Sequence, residues 1–152
     1  MKKYLIAHDI RSAWNVGSFF RTADAAGFDK IFLTGYTATP DHPKVAKTSL
    51  NAEDFVAWEK QKQAWRVVKQ LKKEGVKIIA LEQTPDAQNI FKLKKPISPP
   101  TGGFALIVGN EIRGVPKGLL KYADIKTAIP MYGRKESLNV AVAFGVAAYI
   151  LS

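Results

Sequence analysis

Cysteine is absent from this 152-residue chain, and histidine occurs only as His8 and His42. Without a thiol there is no disulfide, no thiolate zinc site and no cysteine nucleophile. Two imidazoles leave little for a metal cluster, and no metal is expected. Acidic residues are few beside the basic ones, 13 against 23, for a formal net charge of +10. No apolar run approaches the roughly 20 residues that cross a bilayer, so no membrane association is expected. The N-terminus, MKKYLIAHD, turns acidic before a signal-peptide core could form, which points to the cytoplasm. No glycine-rich dinucleotide fingerprint follows the first apolar run, and no phosphate-loop lysine motif occurs. Those absences weigh against a nicotinamide enzyme and against a nucleoside triphosphatase.

What is present is an ordinary globular composition, 47% hydrophobic, with neither an internal repeat nor a dividing linker. One domain over residues 1–152 is expected, long enough for a sizeable core. The positive excess suits a polyanion such as nucleic acid. The plainer reading is a solvated lysine-rich surface.

Tyr4–His8 reads as a buried strand, and a polar turn, Asp9–Asn15, leads into a helix. Val16, Phe19, Phe20 and Ala23 form its core stripe, with Gly17, Arg21 and Asp24 on another side. Arg21 should lean back toward the helix start, over Gly17 and Asn15. A cation beside free N–H groups there would suit a phosphate or a developing oxyanion; pairing with Asp24 or with the neighbouring loop is the alternative. Gly27 ends the helix. Lys30–Thr34 is a second strand, followed by a Pro- and Thr-rich loop, YTATPDHPK, long enough to matter for substrate contacts. A basic helix over Gln61–Glu74 buries Ala64, Val67, Val68 and Leu71. Val76–Glu82 is a parallel-sheet strand. Thr84–Gly102, with Pro85, Pro96, Pro99 and Pro100, reads as mostly loop with one helical turn. Phe104–Val108 is a central strand, Pro116–Tyr122 a short helix and Ile125–Ile129 a last strand. The alternation gives an α/β protein with a mostly parallel sheet flanked by helices.

The closing stretch, IPMYGRKESLNVAVAFGVAAYILS, passes from strand end through a basic loop into a helix with Ser137 or Glu136 near its start. This helix is apolar nearly all round, which requires cover on more than one side. Val142, Phe144, Val146, Tyr149 and Ile150 spread over several faces, and Phe144 reads as an outward position. Asn139, polar and just inside the first turn, needs a partner.

In open parallel sheets ligands sit outside the carboxyl ends of the strands. Those ends carry Asn15 and Arg21, Leu81 and Glu82, Gly109, Asn110 and Glu111, and the stretch 129–139. Glu111 alone is more often a satisfied loop carboxylate than a base; its company with Asn110 and Asn139 is what raises it. Three stretches, IRSAWNVGSFFRTADAAGF, LIVGNEIRGV and IPMYGRKESLNVAVAFGVAAY, resemble in order the three motifs of the SpoU (TrmH-like) branch of the SPOUT methyltransferases. The intervening KVAKTSLNAEDFVAWE is similar to that family as well. The resemblance implies S-adenosylmethionine-dependent methylation of an RNA ribose 2′-hydroxyl. It also implies a homodimer and an α/β fold whose C-terminal part is threaded into a trefoil knot, an exception to unknotted topology. Carried over by position, Arg21 is the catalytic arginine with Asn15 beside it, Glu111 the second-motif glutamate, and Ser137 and Asn139 the third-motif pair. The cofactor is expected near Leu81, Glu82, Gly109, Asn110, Ile129, Met131, Ser137 and Leu138. Many relatives carry an additional RNA-binding domain or terminal extension, and none is recognised here.

Such a reaction needs a 2′-hydroxyl held in line with an activated methyl and its developing charge stabilised. Arginine is effectively always protonated, so Arg21 is read as a cationic donor to the phosphate and nascent alkoxide. Asn15 and Ser137 would orient the ribose, while Glu111 and Asn139 hold the loops and Arg21. The competing readings are a non-catalytic RNA-binding protein on the same fold and a small-molecule α/β enzyme.

Overall fold

Apolar strands alternating with helices assemble one seven-stranded sheet in a computed structural model that describes residues 1–93 and 102–152. The elements are β1 (Lys3–His8), α1 (Ala13–Ala26), β2 (Lys30–Thr34), α2 (Pro43–Ser49), β3 (Ala57–Gln61), α3 (Ala64–Lys73), β4 (Lys77–Leu81), β5 (Gln88–Asn89), β6 (Phe104–Val108), α4 (Lys117–Leu120), β7 (Ile125–Ala128) and α5 (Val140–Leu151). Strand order is β3-β2-β1-β6-β4-β7-β5, and each of these pairings is parallel. The expected parallel α/β architecture, with Phe104–Val108 at its centre, is what forms.

A parallel sheet is buried on both faces, and the period-2 alternation sorts its residues between two cores. Leu5, Ala7, Leu106 and Val108 pack with Phe19, Phe20 and Phe144 from α1 and α5. Ile6, Ala105 and Ile107 pack on the other face with Val67, Val68 and Leu71 of α3 and Leu119 of α4. Phe19 and Phe28 meet the Phe144 ring edge-on at 5.7 and 5.2 Å. Among the described residues no helix is long and apolar enough to cross a membrane.

Several local expectations change. The loop YTATPDHPK ends in α2, which begins at Pro43, and the stretch after it, given no element above, also holds the edge strand β3, whose mixed sequence AWEKQ hides its period. Gly17 is not on an open face with Arg21. It is buried where α2 crosses α1, and a Cβ there would fall 1.7 Å from Thr48 Oγ1 and 2.5 Å from Val45 O. Phe144 is not outward; it is fully buried, and Val142 and Tyr149 are the exposed positions of α5. Of the Thr84–Gly102 reading, the helical turn is present at 90–92; the short strand β5 before it is not among the expected elements, and Pro96, Pro99 and Pro100 lie outside the described residues. The cap of α5 is neither Ser137 nor Glu136. Asn139 caps it, its side-chain oxygen accepting from Ala141 N–H at 2.9 Å and Val142 N–H at 3.3 Å.

Candidate active site

The carboxyl ends of β4, β6 and β7 open into a cleft of about 260 Å³. Leu81 and Glu82 close one side, residues 109–114 the floor, and Ile129, Met131, Ser137 and Leu138 the other side. Val140 and Ala143, on the first turn of α5, complete it. All eight positions expected around a cofactor therefore converge on one cavity. Sequence reasoning did not single out Gln83, Ile112, Arg113, Val140 or Ala143 there. They flank the strand ends, and only their adjacency to those ends could have signalled them.

The polar residues divide into those that build the cleft and those left available. Glu82 turns its carboxylate away from ligand duty: it accepts from Gln83 N–H at 3.0 Å and from Val115 N–H at 2.5 Å. Gln83 donates through Nε2 to Ile129 O at 2.8 Å. The end of β4 thus ties down both the 109–115 loop and the segment leaving β7. Asn110 is nearly buried and fully used. Its Oδ1 accepts from Ile112 and Arg113 N–H, each at 2.9 Å, while Nδ2 donates to Asp9 O and to the Tyr36 hydroxyl. These two are braces that shape the loop rather than free ligand groups.

Glu111 reaches across to the start of α1. Its oxygens accept from Arg11 N–H at 2.8 Å, Ser12 N–H at 2.9 Å and Asn15 Nδ2 at 3.0 Å. Burial acts to raise its pKa, but those donors outweigh it and hold the carboxyl below its ordinary value of 4.5. Such a carboxylate stays ionised at neutral pH and is a poor proton acceptor. Asn15 in turn accepts through Oδ1 from Asn139 Nδ2 at 3.4 Å. Glu111, Asn15 and Asn139 therefore form one chain of contacts joining all three motif loops at the edge of the cleft. Ser137 and Asn139 are solvent-exposed beside it.

Arg21 stands apart. It lines a shallow groove between α1 and α5 with Ser18, Thr22, Gly145, Val146 and Tyr149, and it is exposed. Neither Glu111 nor Asn139 holds it, contrary to expectation, and among the described residues it has no hydrogen-bond or ion-pair partner, Asp24 included. It sits beyond Asn15 along α1 and outside the cleft. Among the described residues no group of three His, Asp or Glu side chains is placed to hold a metal ion.

Residues 2–149 match the SpoU rRNA Methylase family. The chain is 36% identical over 152 residues to the 23S rRNA (guanosine(2553)-2′-O)-methyltransferase RlmP of Bacillus subtilis, covering 99% of this chain and 58% of that protein. It is 30% identical to the tRNA (guanosine(18)-2′-O)-methyltransferase of Aquifex aeolicus, over 95% of this chain and 66% of the relative. The fold superposes on the AdoMet-bound rRNA methyltransferase of Sinorhizobium meliloti with a TM-score of 0.88 at 26% identity, over 98% of this chain and 55% of that one. The chain thus spans between half and two thirds of the length of these relatives. By the match over nearly its whole length, and by the junction of the three motif loops, the chain belongs to the SpoU rRNA methylase family.

Proposed function

We propose that the chain is an S-adenosylmethionine-dependent methyltransferase acting on a ribose 2′-hydroxyl of RNA, ribosomal or transfer. The observation that carries this is the Glu111–Asn15–Asn139 junction, which gathers the three motif loops at the mouth of the cleft. The cleft suits the cofactor. Leu81, Ile129, Met131 and Leu138 offer apolar walls for an adenine, and among the described residues the Met131 and Leu138 N–H groups meet no acceptor. Bound there, S-adenosylmethionine supplies a methyl group already activated on a sulfonium.

The chain's own residues then have to position and stabilise. Ser137, exposed beside the cleft, orients the ribose together with Asn15. Glu111 is a positioning residue: it fixes the start of α1 and the Asn15 amide, leaving Asn15 Oδ1 directed to Asn139. Arg21, outside the cleft and without a partner among the described residues, offers a cation that grips a phosphate of the RNA and supports the charge growing on the 2′-oxygen. The second assignment is a homodimer through α5. Leu138, Val142 and Tyr149 are exposed apolar side chains on or beside this helix. Arg21 borders the same face, so pairing would place its guanidinium at the junction of two protomers. The trefoil threading of the C-terminal part, which the family resemblance implies, belongs to this reading. A cytoplasmic location follows from the RNA substrate.

The test has two arms. Calorimetric titration is expected to show S-adenosylmethionine or its demethylated product binding. Comparison of 2′-O-methylated positions in total RNA from cells with and without the protein is expected to show one or more sites lost. Binding of neither compound, with or without RNA, would remove the enzyme reading in favour of an RNA-binding protein. RNA binding that does not weaken as salt rises would instead favour a small-molecule enzyme.

A further inference from the structure

The turn that leaves β2 has no part in the cleft chemistry above, yet it is among the most heavily braced pieces of the surface. Gly35 adopts φ of 64°, and a Cβ there would fall 1.8 Å from Asp9 Oδ1. Asp9 itself has φ of 52°, a left-handed backbone that non-glycine residues seldom adopt. Its carboxylate accepts from Tyr36 N–H at 3.1 Å. Lys60 Nζ donates to Gly35 O and Thr37 O, and the Thr37 hydroxyl accepts from Ile10 N–H and donates to Ala7 O, both at 3.0 Å.

What all this presents to solvent is an aromatic ring. Tyr36 is 59% exposed, and its hydroxyl is anchored 2.7 Å from Asn110 Nδ2, a residue of the cleft. A tyrosine held at its tip and at its backbone, with its body in water, contributes little to a core. Beside it, the same Asn110 holds Ile112, which is exposed, and Arg113; exposed Arg11 is tied to Glu111. A ring anchored at the edge of a cleft, on a surface that also carries exposed arginines tied through their backbone to the neighbouring loop, fits an unpaired nucleobase of an anionic strand, since every base has a π-face.

We propose that Tyr36 is a stacking platform for an unpaired nucleobase of the RNA, seated beside the ribose that enters the cleft. This rests on the RNA 2′-O-methyltransferase reading and adds to it a residue that positions substrate through the base. The braces explain themselves on this view: a ring that must present one face loses less freedom on binding when it is already fixed.

The test compares wild type with Tyr36→Phe and Tyr36→Ala, using an RNA hairpin carrying 2-aminopurine in its loop as probe and calorimetry for S-adenosylmethionine. Tyr36→Ala is expected to weaken hairpin binding roughly 5- to 100-fold and to abolish the stacking-induced change in 2-aminopurine fluorescence. Tyr36→Phe, which keeps the ring but loses its tether to Asn110, is expected to fall between wild type and Tyr36→Ala and to keep the fluorescence change. Cofactor affinity should be the same in all three. Equal losses in the Phe and Ala variants would reduce Tyr36 to a brace and overturn the platform, as would wild-type binding by Tyr36→Ala. Failure of the wild type to bind the cofactor would instead strike the underlying enzyme reading, and the hairpin comparison would still report on the platform.

Discussion

Glu111 spends both carboxylate oxygens on the N–H groups of Arg11 and Ser12 and on the Asn15 amide. A carboxylate held this way contributes stability above its unfolded pKa and loses it as pH falls through the depressed folded value. The window therefore lies below the ordinary 4.5. Wild type should melt above Glu111→Gln at neutral pH, because the amide presents donors to donors. The gap should narrow as pH falls below that value, and melting curves across the acid range check it. A constant gap would mean that charge is not what Glu111 supplies. Arg21 makes a complementary prediction. Its exposure outside the cleft separates it from the position proposed for the cofactor. Arg21→Ala should cut methyl transfer by roughly 10²–10³, the usual loss of a donor aimed at developing charge, with cofactor affinity unchanged. Arg21→Lys should also be poor, since an ammonium lacks the planar fork. Near-normal turnover in Arg21→Ala would place the catalytic cation elsewhere.

At the scale of elements, α1 and α2 cross closely, and Gly17 makes that approach possible. Thr48 Oγ1 donates to Trp14 O at 3.0 Å over the space a side chain at 17 would occupy. Gly17→Ala must push against Val45 backbone as well as Thr48, so relaxation is limited. A loss of about 1–3 kcal/mol is expected, the usual cost of overpacking, outweighing the alanine's better helix propensity. Urea denaturation measures it, and a stabilised variant would contradict the close approach. This contact also marks where the sequence was legible and where it was not. Strands such as FALIV and KIIAL read directly because burial on both faces leaves an unbroken apolar run. AWEKQ did not, because β3 is an edge strand with half-exposed residues, and what makes it a strand is its pairing with β2. Likewise, periodicity placed Val16, Phe19, Phe20 and Ala23 in the core but could not see a second helix over Gly17. At the site, the eight positions at which the family resemblance led a cofactor to be expected line one cavity. The division of labour among them was not legible. That Asn110 and Glu82 are consumed by loop N–H groups, and that Arg21 stands outside, depends on side-chain directions that spacing does not encode.

For the whole molecule the open question is what covers α5. Its inner face is settled: Phe144, Ala147, Ala148 and Leu151 are buried against α1 and the sheet. Its outer face is not polar, as a solvated helix would be. Val142 and Tyr149 are 53% and 59% exposed, Leu138 stands at the approach, and Trp14 is exposed at the start of α1. Between the two helices runs a shallow groove floored by Gly145 and Thr22, open enough to receive a side chain. An apolar helix face beside a groove on the same surface is self-complementary under a two-fold axis, the commonest closed assembly. Two copies would also bring two basic surfaces together, each formally +10, and electrostatic repulsion between them has to be offset by apolar burial. The dimer should therefore persist or tighten as salt rises, while RNA binding weakens. Phe144 is unsuited to test this, since a charge in the core would unfold the protomer. Val142→Glu and Tyr149→Glu are the informative changes. Each should leave the melting of the protomer nearly intact and shift sedimentation from dimer toward monomer, with the double change the more complete. A wild type that sediments as a monomer at micromolar concentration and is fully active would remove the dimer.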